Sequence, residues 1–172
     1  GFYECPYPYK RLISPELLQF CTGTGRFHFL KDTSCDSKNI LEKLHAIQNT
    51  DLKIFNANSA TLLKTLEYGV SGYSGVMANF HPELYVWLCT NFKDQKDKAE
   101  IVQDLIGFAS LIEYQLYPLN AKYHMSLEGF DIKLNSRIQD YKLMTINKKL
   151  EIQQMRNTIN YVYYKTLNKN NF

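Results

Sequence analysis

The chain has 172 residues, of which 45% are hydrophobic and 22% are charged, and this composition is typical of one globular domain with its own core. The net charge of +3 is too small to argue for a nucleic-acid partner. No apolar run approaches the ~20 residues that a membrane span needs. The four cysteines form no C-x-x-C pair, and no histidine cluster has metal-ligand spacing. We therefore expect a cytoplasmic protein with reduced thiols, no metal and no membrane contact.

Strands and helices alternate over residues 1–92. Strands are predicted at 1–5 (the end of a strand), 26–31, 52–56 and 72–77, and a helix with an apolar stripe follows each of them. Ser14-Pro15-Glu16 opens the first helix as N-cap, first helical residue and first-turn acid, and Asp36 or Ser37 caps the second. Four strand–helix units with short connections predict a parallel sheet covered by helices.

Such a sheet closes either as an open doubly wound fold or as a (β/α)8 barrel. No G-x-G-x-x-G sequence follows any of the strands, so nothing supports the dinucleotide-binding version of the open fold. In both folds the chemistry belongs at the carboxyl ends of the strands.

The rest of the chain, residues 93–172, is predicted to be a helical region that packs on these units. Its first helix carries an apolar stripe of Ile101, Leu105, Phe108 and Ile112. A shorter helix is expected between an Asn120 cap and Gly129, and a last helix over 147–167. We expect residues 169–172 to be frayed.

Four side chains fall at the strand ends: Tyr3, Lys31, Asn56 and Ser74. Because side chains alternate along a strand, Phe27, Phe29 and Lys31 are predicted to share one face, with the two rings as a dry floor beneath the amine. His28 and Leu30 would then face the helices. Gly72 and Gly75 would leave the neighbouring strand bare and give room for a ligand.

An apolar floor disfavours the charged form of a lysine, and a neutral amine is a nucleophile that forms Schiff bases with carbonyl compounds. A phenol at Tyr3 could move protons during such a reaction. Several alternatives stay open at this point. Lys31 could be solvated or paired with Asp32, and Tyr3 could simply pack. Asn56 and Asn58 could cap the next helix, and Ser74 could belong to a tight turn.

Three segments resemble the dihydrodipicolinate synthase / N-acetylneuraminate lyase family. They are Tyr3-Glu4-Cys5-Pro6, Phe29-Leu30-Lys31-Asp32-Thr33-Ser34 and the glycine-rich segment 69–79 with Pro82. Their order and spacing fit over about residues 1–123. The resemblance implies class I aldolases with a TIM-barrel fold, in which Lys31 matches the Schiff-base lysine of the sixth strand. Tyr3 matches the proton-relaying tyrosine that ends the fifth strand.

The same resemblance suggests residues for substrate contact. Ser74, with Gly75, falls where strand eight approaches the bound keto acid, while Asn56 and Asn58 fall near the loop that contacts the second substrate in sialate-cleaving members. Those members carry acidic residues on this loop, where this chain has Asn58 and Ser59. The synthase carries an arginine five residues after its tyrosine, where this chain has Pro8. The subfamily is therefore open.

The resemblance also implies an incomplete barrel. The four units correspond to strands 5–8, and the Gly-x-Thr/Ser-Gly-Glu loop that holds the keto-acid carboxylate in the first half of the barrel has no counterpart in the sequence. A (β/α)8 domain takes about 250 residues. We therefore expect the C-terminal half of a TIM barrel followed by a helical extension, with little activity on its own.

The predicted function is that of a carbon–carbon lyase. Lys31 would form a Schiff base with pyruvate or a related 2-oxo acid, and an aldehyde would be the second substrate. No cofactor is required, and family members are commonly homo-oligomers, as dimers or tetramers. The alternative is a non-catalytic 2-oxo-acid sensor or an oligomeric scaffold of the same fold. A nucleic-acid or membrane role for the lysine-rich end is weaker, since its apolar residues at helical spacing favour a packed helix.

Overall fold

A computed structural model describes residues 1–167, which form one parallel sheet with helices behind it and a helical region after it. The segment 169–172, which we expected to be frayed, lies outside the described residues. The strands are β1 (Phe2–Tyr3), β2 (Phe29–Asp32), β3 (Lys53–Asn56) and β4 (Gly72–Tyr73). The α-helices are α1 (Pro15–Gly23), α2 (Ser37–Ala46), α3 (Leu62–Tyr68), α4 (Pro82–Asn91), α5 (Lys96–Ala109), α6 (Leu119–Leu127) and α7 (Ile146–Val162).

Local signals set the ends of several helices. The Ser14 Oγ accepts a hydrogen bond from the Leu17 amide at 3.2 Å, with Pro15 as the first helical residue of α1. Asp36 caps α2 by accepting from the Lys38 amide at 2.9 Å. Helix α3 ends at Gly69, whose φ of 110° lies in the left-handed region that favours glycine. These helices therefore begin and end close to where the sequence predicts.

The strands are parallel and follow the order β1-β2-β3-β4, as the alternation of strands and helices predicts. Tyr3 pairs with Lys31, and Lys31 pairs with Phe55. Leu30 and Ile54, one residue earlier, are fully buried beneath the helices. Because successive side chains alternate, Tyr3, Lys31 and Phe55 project from the other face of the sheet, where Tyr3 is 54% exposed. We call this the open face.

The aromatic floor differs from the prediction. Phe27 precedes β2, and its ring stacks on Phe2 at 4.2 Å on the helix side of the sheet. Phe29 and Phe55 instead meet edge to face on the open face, with ring centroids 6.4 Å apart. His28 is exposed rather than facing the helices, because β2 begins only at Phe29.

The core consists of two clusters of buried apolar side chains. A smaller one lies between the sheet and α1 and α2, around Leu18, Leu30, Ile40 and Ile54. The larger one joins α3 and α4 to α5, α6 and α7. This larger cluster therefore contains residues from both of the regions, 1–92 and 93–172, into which the sequence divides.

The end of β4 and the start of α6 differ from their predictions. The last strand ends at Tyr73, because residues Val76–Asn79 form a 3-10 turn instead of continuing it. Asn120 lies inside α6, where its buried Nδ2 donates to the Ile112 carbonyl at 2.7 Å, so it is not the cap of this helix.

Among residues 1–167, no helix is long and apolar enough to cross a membrane.

The buried face of α5 is formed by smaller side chains than predicted: Ala99, Val102, Ile106 and Ala109. Phe108 is 74% exposed. The Gln103 Nε2 donates to the Ser59 carbonyl at 3.0 Å, and a Cβ on Gly107 would lie only 3.7 Å from the Ala60 backbone. This side of α5 therefore lies in contact with the 3-10 turn Ser59–Thr61.

Candidate active site

The structure brings Lys31 and Tyr3 together at the carboxyl ends of β1 and β2. The Lys31 Nζ lies 4.6 Å from the centroid of the Tyr3 ring. Lys31 is half-buried, and Tyr3 is 54% exposed. An amine and a phenol therefore stand side by side on the open face, as the spacing of the strands predicts. Phe55 pairs with Lys31 on the other side, in β3.

Asp32 does not neutralise Lys31. Its side chain is fully buried on the helix side of the sheet, where Oδ2 lies 2.5 Å from the Nζ of Lys43. The other oxygen accepts from the Ser34 amide at 2.8 Å and from the Ser34 hydroxyl at 2.6 Å. The alternative in which Asp32 pairs with Lys31 and holds it charged is therefore excluded by the geometry.

The Tyr3 phenol is slightly perturbed by its surroundings. Partial burial raises the pKa of Tyr3, and the neighbouring Cys5 thiol raises it further. The phenol is therefore protonated at neutral pH and carries a proton that it can donate. This protonation state fits the first proton transfer of carbinolamine dehydration, in which a hydroxyl group must leave as water.

Glu113 is a charged neighbour that the sequence analysis did not identify. It lies in the 3-10 turn Ser110–Tyr114 of the helical region and is half-buried. Burial raises the pKa of the Glu113 carboxyl, and the positive charge of Lys31 lowers it by a smaller amount. No local pattern could reveal this contact, since 82 positions separate the two residues in the chain.

Ser74 follows β4, and its amide donates to the Asn56 carbonyl at 2.8 Å, which continues the sheet ladder by one residue. The side chain of Tyr73, one residue earlier, lies on the helix side. Because side chains alternate along a strand, Ser74 belongs to the open face with Lys31. Gly75 does not leave space for a ligand. A Cβ at this position would collide with the Tyr73 hydroxyl and the Ala57 carbonyl, so the glycine is required by packing.

Asn56 and Asn58 serve the β3–α3 connection instead of a ligand. The Asn56 side chain is fully buried, and its Nδ2 donates to the hydroxyls of Thr61 at 3.0 Å and Thr65 at 2.9 Å. Its Oδ1 accepts from the Asn58 amide at 2.7 Å. The Asn58 Oδ1 caps the 3-10 turn by accepting from the Thr61 amide at 3.1 Å. The capping alternative therefore describes both residues better than substrate contact does.

A cluster of hydroxyl groups lies behind β4, and no sequence pattern predicted it. The Ser59 Oγ is hydrogen-bonded to the hydroxyls of Tyr73 at 2.9 Å and Tyr85 at 2.7 Å. The two tyrosine rings stack at 4.0 Å, and His81 stacks on Tyr85 at 5.5 Å. Burial raises the pKa of both tyrosines. These groups form a packed polar layer beneath the strand ends, and they remain neutral.

The described residues contain no group of three or more His, Cys, Asp or Glu side chains arranged to hold a metal ion. The four cysteines are free thiols in the structure. The polar groups of the site are therefore the Lys31 amine, the Tyr3 phenol, the Ser74 hydroxyl and the Glu113 carboxylate.

Comparison with known proteins supports the α/β fold with a parallel sheet. A family model described as the dihydrodipicolinate synthetase family matches residues 3–161. The chain belongs to this family. No curated protein matches it in sequence.

Several solved structures share the fold. A dihydrodipicolinate synthase from Bacillus anthracis has a TM-score of 0.79 at 14% identity, over 91% of this chain and 53% of that one. YagE from E. coli K12, solved in complex with pyruvate, has a TM-score of 0.79 at 17% identity, over 92% and 55%. The 2-keto 3-deoxygluconate aldolase of Picrophilus torridus has a TM-score of 0.63 at 22% identity, over 74% and 46%. The chain thus spans about half the length of these structures.

Proposed function

We propose that this chain carries the amine and the phenol of a class I aldolase site, which makes or breaks a carbon–carbon bond next to a 2-oxo acid. The observation that carries the proposal is the pairing of Lys31 with Tyr3. The amine lies 4.6 Å from the ring centroid at the carboxyl ends of neighbouring parallel strands. The nearest carboxylate in sequence, Asp32, is engaged elsewhere.

The proposed reaction begins when the Lys31 amine attacks the C2 carbonyl of pyruvate or a related 2-oxo acid. The resulting carbinolamine loses water, with Tyr3 donating the proton that the leaving hydroxyl needs, and a protonated imine forms on Nζ. This imine accepts the electron pair released when a C3 proton or a C3–C4 bond is lost. The enamine so formed adds to an aldehyde, or takes up a proton, before water releases the product.

Two of the related structures point to this substrate class. YagE was solved in complex with pyruvate, and the Picrophilus torridus enzyme is a 2-keto 3-deoxygluconate aldolase. Both descriptions concern those proteins. For this chain we propose the same chemical class of first substrate, a short 2-oxo acid, and an aldehyde as the second substrate.

Among the remaining candidates, we propose Ser74 as a contact of the keto acid, because it belongs to the open face with Lys31. We do not propose Asn56, Asn58 or Gly75, since hydrogen bonds and packing within the fold account for each of them. We further propose that β1 to β4 correspond to strands 5–8 of the family barrel. The described sheet has four strands, and Tyr3 on its open face is 54% exposed, so we expect low turnover from this chain alone.

Borohydride trapping tests the proposal, because it records a single covalent step and requires no turnover. Incubation with pyruvate and borohydride should reduce the imine and leave one 1-carboxyethyl group on the Lys31 Nζ, located by peptide mass spectrometry. Lys31→Met should remove this adduct. Lys53→Met is the matched control, because Lys53 lies exposed on the neighbouring strand without a tyrosine beside it, and it should leave trapping unchanged.

Other outcomes would contradict the proposal. Adducts spread over many lysines, or an adduct that survives in Lys31→Met, would rule out Lys31 as the Schiff-base residue. Saturable stabilisation by pyruvate without any adduct would favour the alternative of a 2-oxo-acid-binding sensor, since binding would then occur without covalent chemistry.

A further inference from the structure

A buried ion network lies directly behind the proposed site. Lys43, from the second turn of α2, is fully buried, and its Nζ lies 2.6 Å from Glu4 Oε1 and 2.5 Å from Asp32 Oδ2. Glu4 directly follows Tyr3, and Asp32 directly follows Lys31. One ammonium group thus binds the two carboxylates that are the sequence neighbours of the proposed proton donor and the proposed nucleophile.

Both carboxylates of the network accept further hydrogen bonds, which buried charges need. The Glu4 carboxylate also accepts from the Ile13 amide at 2.8 Å and from the Thr33 amide at 3.0 Å. The Thr33 hydroxyl donates to the Glu4 carbonyl at 2.5 Å. Four parts of the chain therefore meet here: the end of β1, the end of β2, the segment before α1, and α2.

The backbone alone specifies the position of β1 only weakly. This strand has two residues, and its pairing with β2 consists of two residue pairs. The hydrogen bond that continues the ladder, from the Glu4 amide to the Lys31 carbonyl, is long at 3.3 Å. A slip of one residue would turn Tyr3 towards the helices and Glu4 towards the open face. Something other than the ladder must hold the register.

We infer that Lys43 is a positioning residue: by binding Glu4 and Asp32 together, it fixes the register of β1 against β2 and so holds the Tyr3 phenol beside the Lys31 amine. The inference rests on the proposed function for its catalytic consequence, but its geometric content does not. Desolvation offsets much of the attraction between buried charges, so the proposed contribution of this network is to geometry more than to stability.

Two variants separate positioning from stability. Glu4→Gln keeps the side-chain volume and leaves Lys43 paired one-to-one with Asp32. The triple variant Glu4→Gln/Asp32→Asn/Lys43→Met removes every charge at nearly constant volume, so it avoids an uncompensated buried ion. Thr65→Val is the matched control, because it removes a buried hydrogen bond to Asn56 in the β3–α3 unit, away from Tyr3 and Lys31.

The first measurement is the pyruvate dependence of the borohydride-trapping rate at Lys31 in the 172-residue chain. Both variants should lower the maximal rate at least tenfold and leave the half-saturating pyruvate concentration within twofold. Thr65→Val should change neither, even where its urea midpoint falls as far as that of the variants. Maximal rates within twofold of the unmodified chain in both variants would overturn the inference.

The second measurement does not depend on the reaction. With [13Cε]lysine, the Lys31 methylene signal should show a ring-current shift from Tyr3, assigned by its loss in Tyr3→Leu. Both variants should lose this shift, and Thr65→Val should keep it. If the unmodified chain traps no pyruvate but the variants lose the shift, the proposed function fails and the positioning role stands. If the shift persists in both variants, the positioning role fails.

Discussion

Tyr3 and Lys31 carry the proposed chemistry through their placement more than through unusual surroundings. Both lie on the open face, one residue before a buried carboxylate that turns to the other face. Because side chains alternate along each strand, the two carboxylates and the Lys31 amine lie on opposite faces of the sheet. Lys43 binds the Glu4 and Asp32 carboxylates among the helices, and the Lys31 amine lies on the opposite face of the sheet, paired with neither of them.

The role of Tyr3 gives a prediction at the scale of one hydroxyl group. Tyr3→Phe keeps the ring that contacts the Lys31 amine and removes only the proton donor, so trapping at Lys31 should slow by about 10²- to 10⁴-fold, the usual contribution of a positioned proton-transfer group. The measurement is the initial rate of adduct formation at fixed pyruvate. Tyr9→Phe, at an exposed position nearby in sequence, is the control and should have no effect. A rate in Tyr3→Phe within threefold of the unmodified chain would exclude Tyr3 as the proton donor.

At the scale of elements, Gly75 after β4 is predicted to give room for a ligand, but atoms of the protein itself fill this space. Here the strand stops after two residues and the chain turns sharply, and Gly75 allows the Tyr73 hydroxyl to reach Ser59 beneath it. The space that a side chain would occupy at residue 75 is already filled by protein atoms.

Gly75→Ala should therefore reduce stability instead of only weakening ligand binding. The added methyl group meets a hydroxyl and a backbone carbonyl, and overpacking of this kind costs about 1–3 kcal/mol. Urea unfolding followed by circular dichroism measures the change. Gly107→Ala is the matched control: it lies within α5 at ordinary contact distance, and the gain in helix propensity should raise stability by up to about 1 kcal/mol. An unchanged urea midpoint in Gly75→Ala would contradict the packing role of Gly75 and favour the predicted role in making room for a ligand.

At the scale of the whole molecule, His81 links stability to pH. It is buried at the start of α4, where desolvation and the nearby His124 lower its pKa from 6.5 to about 3. The unfolded chain binds a proton at this residue below about pH 6.5, and the folded chain does not do so until about pH 3. The free energy of unfolding should therefore fall as the pH is lowered through this window.

His81→Phe should remove part of this acid sensitivity, because a phenyl ring keeps the stacking on Tyr85 and binds no proton. Between pH 7 and pH 5, the unmodified chain should lose about 2 kcal/mol more than the variant, at about 1.4 kcal/mol for each pH unit below the unfolded-state pKa. Urea titrations at the two pH values measure the difference. His28→Phe, at an exposed histidine, should behave like the unmodified chain. Parallel pH profiles for the unmodified chain and His81→Phe would contradict the assignment.

The sequence by itself determined the features that depend on local chemistry and on period. The caps at Ser14 and Asp36 and the parallel order of the strands follow from hydrogen-bonding side chains and from strand–helix alternation. The family resemblance rests on Tyr3–Pro6, Phe29–Ser34 and residues 69–79 with Pro82, and the family match confirms it.

Only the tertiary structure decided which partner each charged or polar group has. Lys43 binds Glu4 across 39 positions and Asp32 across 11, and Glu113 approaches Lys31 from the helical region. Pairing at such distances depends on how helices pack on the sheet, which no local pattern encodes. The same packing buries the face of α5 that carries the smaller side chains. It also places the Asn56 amide where it hydrogen-bonds within the protein. The sequence therefore supplied the amine and the phenol, and the tertiary structure supplied the buried network behind them.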